Sequence, residues 1–545
     1  MNRRNYLVES NRGRIQRLLI VLVIAVMSAT QQTALFGQGA NTSIIAFSGN
    51  PAPEGNGVYD DALSFGLPAV ADDGNVAFFA SVKIATATFA DSIIVGKNSG
   101  NLVDVLHTGE STPFGVFDRV DTPAVTNGGI VAFMGDRDAN ITNEGFFRVT
   151  ASGSLSAIIK SGDAIPGGNG VLAANSANRV PELNALGQTT FVANLSGTNN
   201  AQNDDTAIFR GNASGTGVIL IAREGQAAPG SETFDDLINS VPVINASGQV
   251  AFTAGLSGTI APEGGTIDNA GVYRSNGTTI TQIARTGQAL PGGGIIYHFG
   301  PGKGPAMNDS GEVAFGASTN QGSSLKVVVK GDGANLTEIA RSGGLLPGGG
   351  GTFTSFDRHF EINNLGQVAF SAATNQISSA ERALYRGDGI VGNLITIAHP
   401  GQALPGGNGI FSSFVLDSFT LNDLGQMAFT AGLDTNLTDN VATDREGLFF
   451  FDDTLGLREI VRTGDPYLGS TLSGIGFSAT SGTDPISDEQ SGLNNSGQVA
   501  YRFQLADGRG GVAVWSAPEP GSFACAIYGM ALLGCRRLRG NRNRR

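Results

Sequence analysis

Asn245-Ala246-Ser247-Gly248-Gln249-Val250-Ala251-Phe252 decides how this chain folds, because the same eight-residue pattern returns throughout its 545 residues. Close copies stand at 308–315, 363–370, 422–429 and 494–501, the last ending on Tyr501. The copy at 184–191 carries Thr189-Thr190 where the others have Val-Ala or Met-Ala. Two further copies lack the Asn and begin on Ala71 and Thr126. Their shared glycines, Gly74, Gly129, Gly187, Gly248, Gly311, Gly366, Gly425 and Gly497, lie 55, 58, 61, 63, 55, 59 and 72 residues apart, a period of about sixty.

The chemistry of the motif is that of a turn feeding a strand. Asn first and Gly fourth are the corner residues of a type I turn, with the Asn side chain bonding its own backbone. After the turn, Val250, Phe252 and Ala254 fall on one strand face and Ala251 on the other, small enough to let a neighbouring sheet approach. A strand apolar on both faces belongs in a sheet covered on both sides.

A second motif, Ile283-Ala-Arg285-Thr-Gly287-Gln-Ala-Leu-Pro291, reads as a strand ended by a Gly-Pro turn. Its Gly/Pro pair recurs at 49/53, 109/113, 162/166, 225/229, 343/347 and 401/405; Gly464 opens an eighth copy in which Leu468 replaces the proline. Between the motifs lies a short aromatic strand, as in Val272-Tyr273-Arg274, and ahead of the Asn turn another, with Phe353 and Phe356 or Phe411 and Phe414. Each repeat therefore offers four strands: a (Phe-x-x-Phe), b (Gln-Val-Ala-Phe), c (Val-Tyr-Arg) and d (Ile-Ala-Arg). That is the make-up of a propeller blade.

The order in which strands begin and end points to a closed ring. The repeat region opens on a d-type strand, Ser43-Ile-Ile-Ala-Phe47, and finishes on b and c, around 498–501 and 511–515. Pairing the two would complete eight equal blades and leave no open sheet edge. The expected fold is all-β, a β-propeller of eight four-stranded blades with the N- and C-terminal strands closing one of them. The competing arrangement is an open β-array or two smaller units.

The flanks read as addresses. Residues 1–40 carry Arg3, Arg4, Arg12, Arg14 and Arg17, then an apolar run of ten from Leu18 to Met27, which suits a secretory signal and is short for a membrane span. The propeller is assigned to 41–516. Residues 517–545 hold Pro518, Glu519 and Pro520, an apolar stretch from Phe523 to Cys535 and six arginines. This tail resembles the PEP-CTERM sorting signal of polysaccharide-secreting Gram-negative bacteria. The resemblance implies removal by a membrane protease of the exosortase type and delivery to the cell surface or extracellular space. The repeats, over roughly 43–516, are similar to the Asn-x-x-Gly-x-x-Ala-Phe tandem-repeat family found in such proteins, which implies fold and address but no activity.

Both cysteines, Cys525 and Cys535, sit in the tail, so the repeat region contains neither a thiol nucleophile nor a thiolate metal site. With 1–40 and 521–545 set aside, 23 Lys and Arg face 46 Asp and Glu, a net charge near −23. Such a surface repels nucleic acid.

Candidate sites are few. The residue two before the d-strand glycine is basic in seven of eight repeats: His107, Lys160, Arg223, Arg285, Arg341, His399 and Arg462, with Phe47 in the eighth. These form either a cationic ring for an acidic polysaccharide or a set of local ion pairs. Asp136/Asp138, Asp204/Asp205, Asp434/Asp439/Asp444 and Asp452/Asp453 offer oxygen ligands of the kind Ca²⁺ takes, without the spacing of a calcium loop. His107, His298, His359 and His399 lie on separate repeats, which argues against zinc. Gly300-Pro-Gly-Lys303-Gly304 mimics a phosphate loop but lacks the following Ser or Thr. A single tryptophan, Trp515, gives little for a sugar-stacking face. The sequence thus leads to a non-enzymatic, cofactor-free structural or interaction module, with extracellular polysaccharide or surface proteins as partners. A polysaccharide lyase or glycoside hydrolase would instead place acids facing the axis in one or two repeats, and a lectin-like binder would expose aromatics.

Overall fold

The structure is a computed structural model that describes residues 41–518 apart from 86–87, 121–122, 138–143, 175–180, 201–202, 231, 236, 238–239, 258–269, 300–303, 320–325, 378–380, 437–444 and 478–490. Residues 1–40, read above as a signal, and residues 519–545, including Glu519 and Pro520, lie outside these residues. The described residues form eight antiparallel blade sheets in sequence order, plus a two-stranded ribbon of Ser111–Thr112 with Gly115–Val116. Blade 4 shows the pattern, with strand b at Val250–Ser257, c at Ala270–Ser275 and d at Ile280–Arg285. Strand a is broken into two short pieces in blades 1 to 5 and continuous in blades 6 and 7, at Phe353–Ile362 and Ile410–Leu421. Two register shifts bend each continuous strand, between 353 and 355 and between 356 and 360 in blade 6, and between 411 and 413 and between 414 and 419 in blade 7.

Blade 8 is built from both ends of the chain. Strands Ser470–Phe477, Gln498–Leu505 and Gly510–Ser516 supply a, b and c, and Thr42–Phe47 supplies d. Thr42 lies opposite Trp515 and Phe47 opposite Gly511. The fold is thus the eight-bladed β-propeller that the repeat order predicts. The extra residues in the 72-residue interval include 478–490, outside the described residues.

Each turn has one more feature than a type I turn. Asn245 and Gln249 pair across three residues, and Gly248 takes φ +78°, so the hairpin is a type I turn closed by a left-handed residue. The equivalent glycines of all eight repeats lie between +71° and +83°, a conformation that costs other residues.

Packing is between blades rather than within them. Among the described residues there are eight apolar clusters, one per blade junction. The small face of one blade meets the aromatic face of the next, as where Ala251 and Val272 meet Phe299 and Phe315. At the junction of blades 8 and 1, Ala500, Val512 and Val514 pack on Tyr59, Phe65 and Phe78. In blade 4 the aromatic face is built from one ring each of a, b and c, Phe234, Phe252 and Tyr273, with centroids 5.1–5.8 Å apart. Trp515 is part of this core, 5.1 Å from Phe450.

Candidate functional site

The motif asparagines do more than cap turns. Asn308 Oδ1 accepts from the backbone of Glu312 at 2.9 Å, while its Nδ2 donates to Glu312 Oε2 at 2.9 Å and to the carbonyl of Asn363, in the next blade, at 3.1 Å. The same donation runs from Asn184 to Asn245, Asn245 to Asn308, Asn363 to Asn422 and Asn422 to Asn494. Asn494 completes the run on the carbonyl of Ala71 at 2.8 Å. These asparagines are buried, so each unmet bond would carry a desolvation cost.

A second, more exposed ring is formed by the residue after each Asn position: Asp72, Asn127, Ala185, Ala246, Asp309, Asn364, Asp423 and Asn495. Backbone amides of Ala246, Asp309, Asn364, Asp423 and Asn495 each donate to the side chain of the following blade at 2.7–2.9 Å. Acid and amide alternate from 309 through 72 to 127. Asn364 Nδ2 donates to Asp309 and Asp423, and Asn495 Nδ2 to Asp423 and Asp72, so each amide separates two carboxylates. This ring borders a cavity of about 280 Å³ whose walls include Val70, Asp72, Asn127, Leu183, Asp423 and Asn495. It is the mouth of the axial channel.

Behind the mouth, the residue two before each Asn position is Ala69, Ala124, Glu182, Val243, Ala306, Glu361, Thr420 or Gly492. Two repeats thus break an otherwise uncharged series. Glu182 accepts from the amide of Ile244, on strand a of the next blade, at 2.5 Å. Burial pushes the Glu182 carboxyl well above the usual carboxylate range and the charge of Glu361 adds to the shift, against that hydrogen bond. Glu361 Oε1 lies 3.4 Å from His359 Nε2, which also lies 3.1 Å from the carbonyl of Phe419 in blade 7. A carbonyl only accepts, so Nε2 carries the hydrogen.

The seven basic positions at the ends of strands d sit at the outer rim, on the face opposite the Asn turns. Arg285 meets Glu232 through two bonds of 2.8 Å, and Arg341 meets Glu338 at 2.6 and 2.7 Å. Arg462 lies 3.3 Å from Asp465 and 3.8 Å from Glu459, and His107 lies 3.2 Å from Asp104. Lys160 pairs with Asp163, and Arg223 donates to the carbonyls of Asp204 and Asn169 beside the Asp204 carboxylate. His399 is exposed, with Nδ1 2.8 Å from the Pro400 carbonyl.

Cations that join blades were instead on strand c, where sequence reading saw only a strand ending. Arg148, Arg210, Arg274, Lys330 and Arg386 each donate to the carbonyl of the motif glycine in the following blade. Arg386 also grips Asp453 through two bonds of 2.7 Å.

The aspartate loops have local duties. Asp452 Oδ1 caps the amides of Thr454 and Leu455, Asp434 accepts from the amide of Asn436, and Asp136 is buried in a strand. Asp138, Asp439 and Asp444 lie outside the described residues, as do residues 300–303 of the phosphate-loop mimic. His298 Nδ1 lies 3.0 Å from the Phe299 carbonyl. In blade 3, Glu224 stands where most repeats have Ser or Thr and accepts from the amide of Asp205 at 3.2 Å. Burial, with the neighbouring Asp205 carboxyl, pushes Glu224 up to about 7. Among the described residues, no group of three or more His, Asp or Glu side chains converges as a metal site.

Fold and channel together define an eight-bladed β-propeller with a polar axial mouth. The chain belongs to a family of unknown function, DUF7453, whose model matches residues 125–388 and 256–524. No match is found among curated proteins. Similar solved structures include the β-propeller domain of the Trilobed protease from Pyrococcus furiosus, at 12% identity over 73% of this chain and 97% of that one, TM-score 0.34. An uncharacterized protein from Listeria monocytogenes matches at 12% identity over 63% of this chain and 85% of that one, TM-score 0.33. An α-L-arabinofuranosidase from Fusarium graminearum, solved with an iminosugar inhibitor, matches at 10% identity over 66% and 98%, TM-score 0.29. Likeness at this level says nothing of activity.

Proposed function

We propose that this protein is an exported, non-enzymatic structural or interaction module of the cell surface or extracellular matrix. The observation that carries the reading is that the recurrent polar side chains are committed to building the ring. The Asn series and the strand-c cations join blades, and six of the seven basic residues at the rim sit beside nearby carboxylates. Such a body offers a rigid surface, with recognition left to positions where the repeats differ. Export rests on the sequence of the two ends, and an exosortase-type protease would be the partner of the tail. The ring's own partners would be extracellular polysaccharide or surface proteins.

A second reading, a polysaccharide lyase or glycoside hydrolase, is favoured by Glu182 and Glu361, the two acids that break the axial series. One experiment separates the two. The full chain is expressed in a Gram-negative host and fractionated, and the purified protein is incubated with acidic and neutral polysaccharides while retention and new reducing ends are measured. The interaction reading expects protein in the envelope or medium and retention without new ends. New ends that E361Q abolishes would replace it with the enzymatic reading, and protein confined to the cytoplasm would overturn export.

A further inference from the structure

Both ends of the folded region leave from one point on one face. The amide of Ser516 donates to the carbonyl of Asn41 at 2.9 Å, and that of Ala517 to the carbonyl of Gly497, in the Asn turn of blade 8, at 2.9 Å. The c–d turns lie on this same face, since Arg210 reaches both the Asn turn at Gly248 and the c–d turn at Asn276. The Gly-x-x-x-Pro turns are on the other. Resting on the reading of the tail as a membrane-inserting sorting segment, we infer that the Asn-turn face lies against a lipid surface while the tail holds the protein, with the Gly-x-x-x-Pro face turned outward.

The linker length carries the argument. Only four residues lie between Pro518 and Phe523, where the apolar stretch begins, five chain steps in all. Fully extended they span at most ~18 Å. Eight sheets packed about 10 Å apart make a disc several times wider than that reach. A disc tethered so closely cannot turn its far face to the bilayer.

The face also offers apolar contacts beside the exit. Leu365 and Leu424 cap the Asn turns of blades 6 and 7, which Asn364 and Asp423 join, and they are 65% and 60% exposed. Ile390 and Val391 occupy the c–d turn of blade 6, with Val391 wholly exposed. Exposed Leu63 and Leu345 belong to the opposite face, away from both chain ends. Because the axial mouth carries Asp72, Asp309 and Asp423, the surface it fits is zwitterionic rather than anionic.

The test uses the full chain with C525A and C535A, bearing a donor dye at one introduced cysteine: L424C, V391C, L345C or L63C. Each is reconstituted with phosphatidylcholine vesicles carrying a headgroup acceptor. Energy transfer from L424C and V391C is expected to exceed that from L345C and L63C by about threefold or more, as for residues seated at a lipid interface. Protein that floats with the vesicles but shows equal or reversed transfer overturns the orientation alone. Protein that does not float overturns the tail reading and the orientation with it.

Discussion

Asn494 in the last blade donates its Nδ2 to the carbonyl of Ala71 in the first, at 2.8 Å, across 423 residues of sequence. Its Oδ1 meanwhile accepts from the amides of Ser496 and Gln498 at 3.0 and 2.9 Å. One side chain shapes a turn and helps close the ring. Asn494→Ala should lower stability by about 2–3 kcal/mol, since buried groups lose several partners. Asn494→Asp keeps the acceptor role but loses both Nδ2 donations, to Ala71 and to Gln498, and sets a carboxylate against the Ala71 carbonyl, so its loss in a urea titration should be at least as large as that of the alanine variant.

The alternation around the mouth predicts a salt-sensitive variant. Asn364→Asp would set three carboxylates side by side at 309, 364 and 423 and remove two donors. Thermal unfolding at low salt should show a loss of about 1–2 kcal/mol, much of it recovered at 1 M salt, where charges are screened within about 3 Å. A loss independent of salt would mean that geometry, not charge, sets the pattern.

Arg386 and Lys83 make a matched pair for testing the inter-blade cations. Arg386 is 5% exposed and binds both Asp453 and the Gly425 carbonyl, whereas Lys83 and its partner Asp60 are each about a third exposed. Arg386→Ala should cost about 2–4 kcal/mol and Lys83→Ala less than about 0.5 kcal/mol. Equal effects in denaturant titrations would contradict the assigned role.

Glu224 should give the protein an acid-side gain in stability. Its folded pKa, about 7, lies above the ordinary glutamate value of 4.5, so the native state holds more protons between those pH values. Stability therefore falls as pH rises from about 4.5 to 7, and the cost is fully present above 7. Glu224→Thr restores the hydroxyl carried by several other repeats. It should flatten that window and stabilise the protein at pH 8 by about 1–2 kcal/mol, read from urea midpoints across pH.

Much of the architecture was legible because it is local or periodic. The turn of Asn245 through Gly248 and the strand after it follow from residue preferences, and the d-like strand at Thr42–Phe47 found its mate because blade 8 lacked one. What stayed hidden depends on which atom of a neighbouring repeat a side chain meets. Arg274 reads as the end of a strand, and only the ring places the Gly311 carbonyl in front of it. Glu182 and Glu361 were missed because no motif marks their position, although aligning the eight repeats by their Asn turns would have set them apart. For the rim cations the recurrence itself was ambiguous. Their partners come from different places, Glu338 three residues before Arg341 but, for Arg285, Glu232 at the entry to strand a of the same blade, 53 residues upstream.

Ring closure by the N-terminal strand is tested most directly by deleting residues 41–49 and comparing thermal unfolding with the parent chain. The missing strand uncovers the edge of Gly510–Ser516 and opens the only blade formed by both chain ends. The predicted result is a midpoint lower by several degrees, partly restored by adding a peptide of residues 41–49 in excess, as expected for a ligand that binds only the folded state. An unchanged midpoint, with no effect of the peptide, would contradict the closed eight-bladed ring.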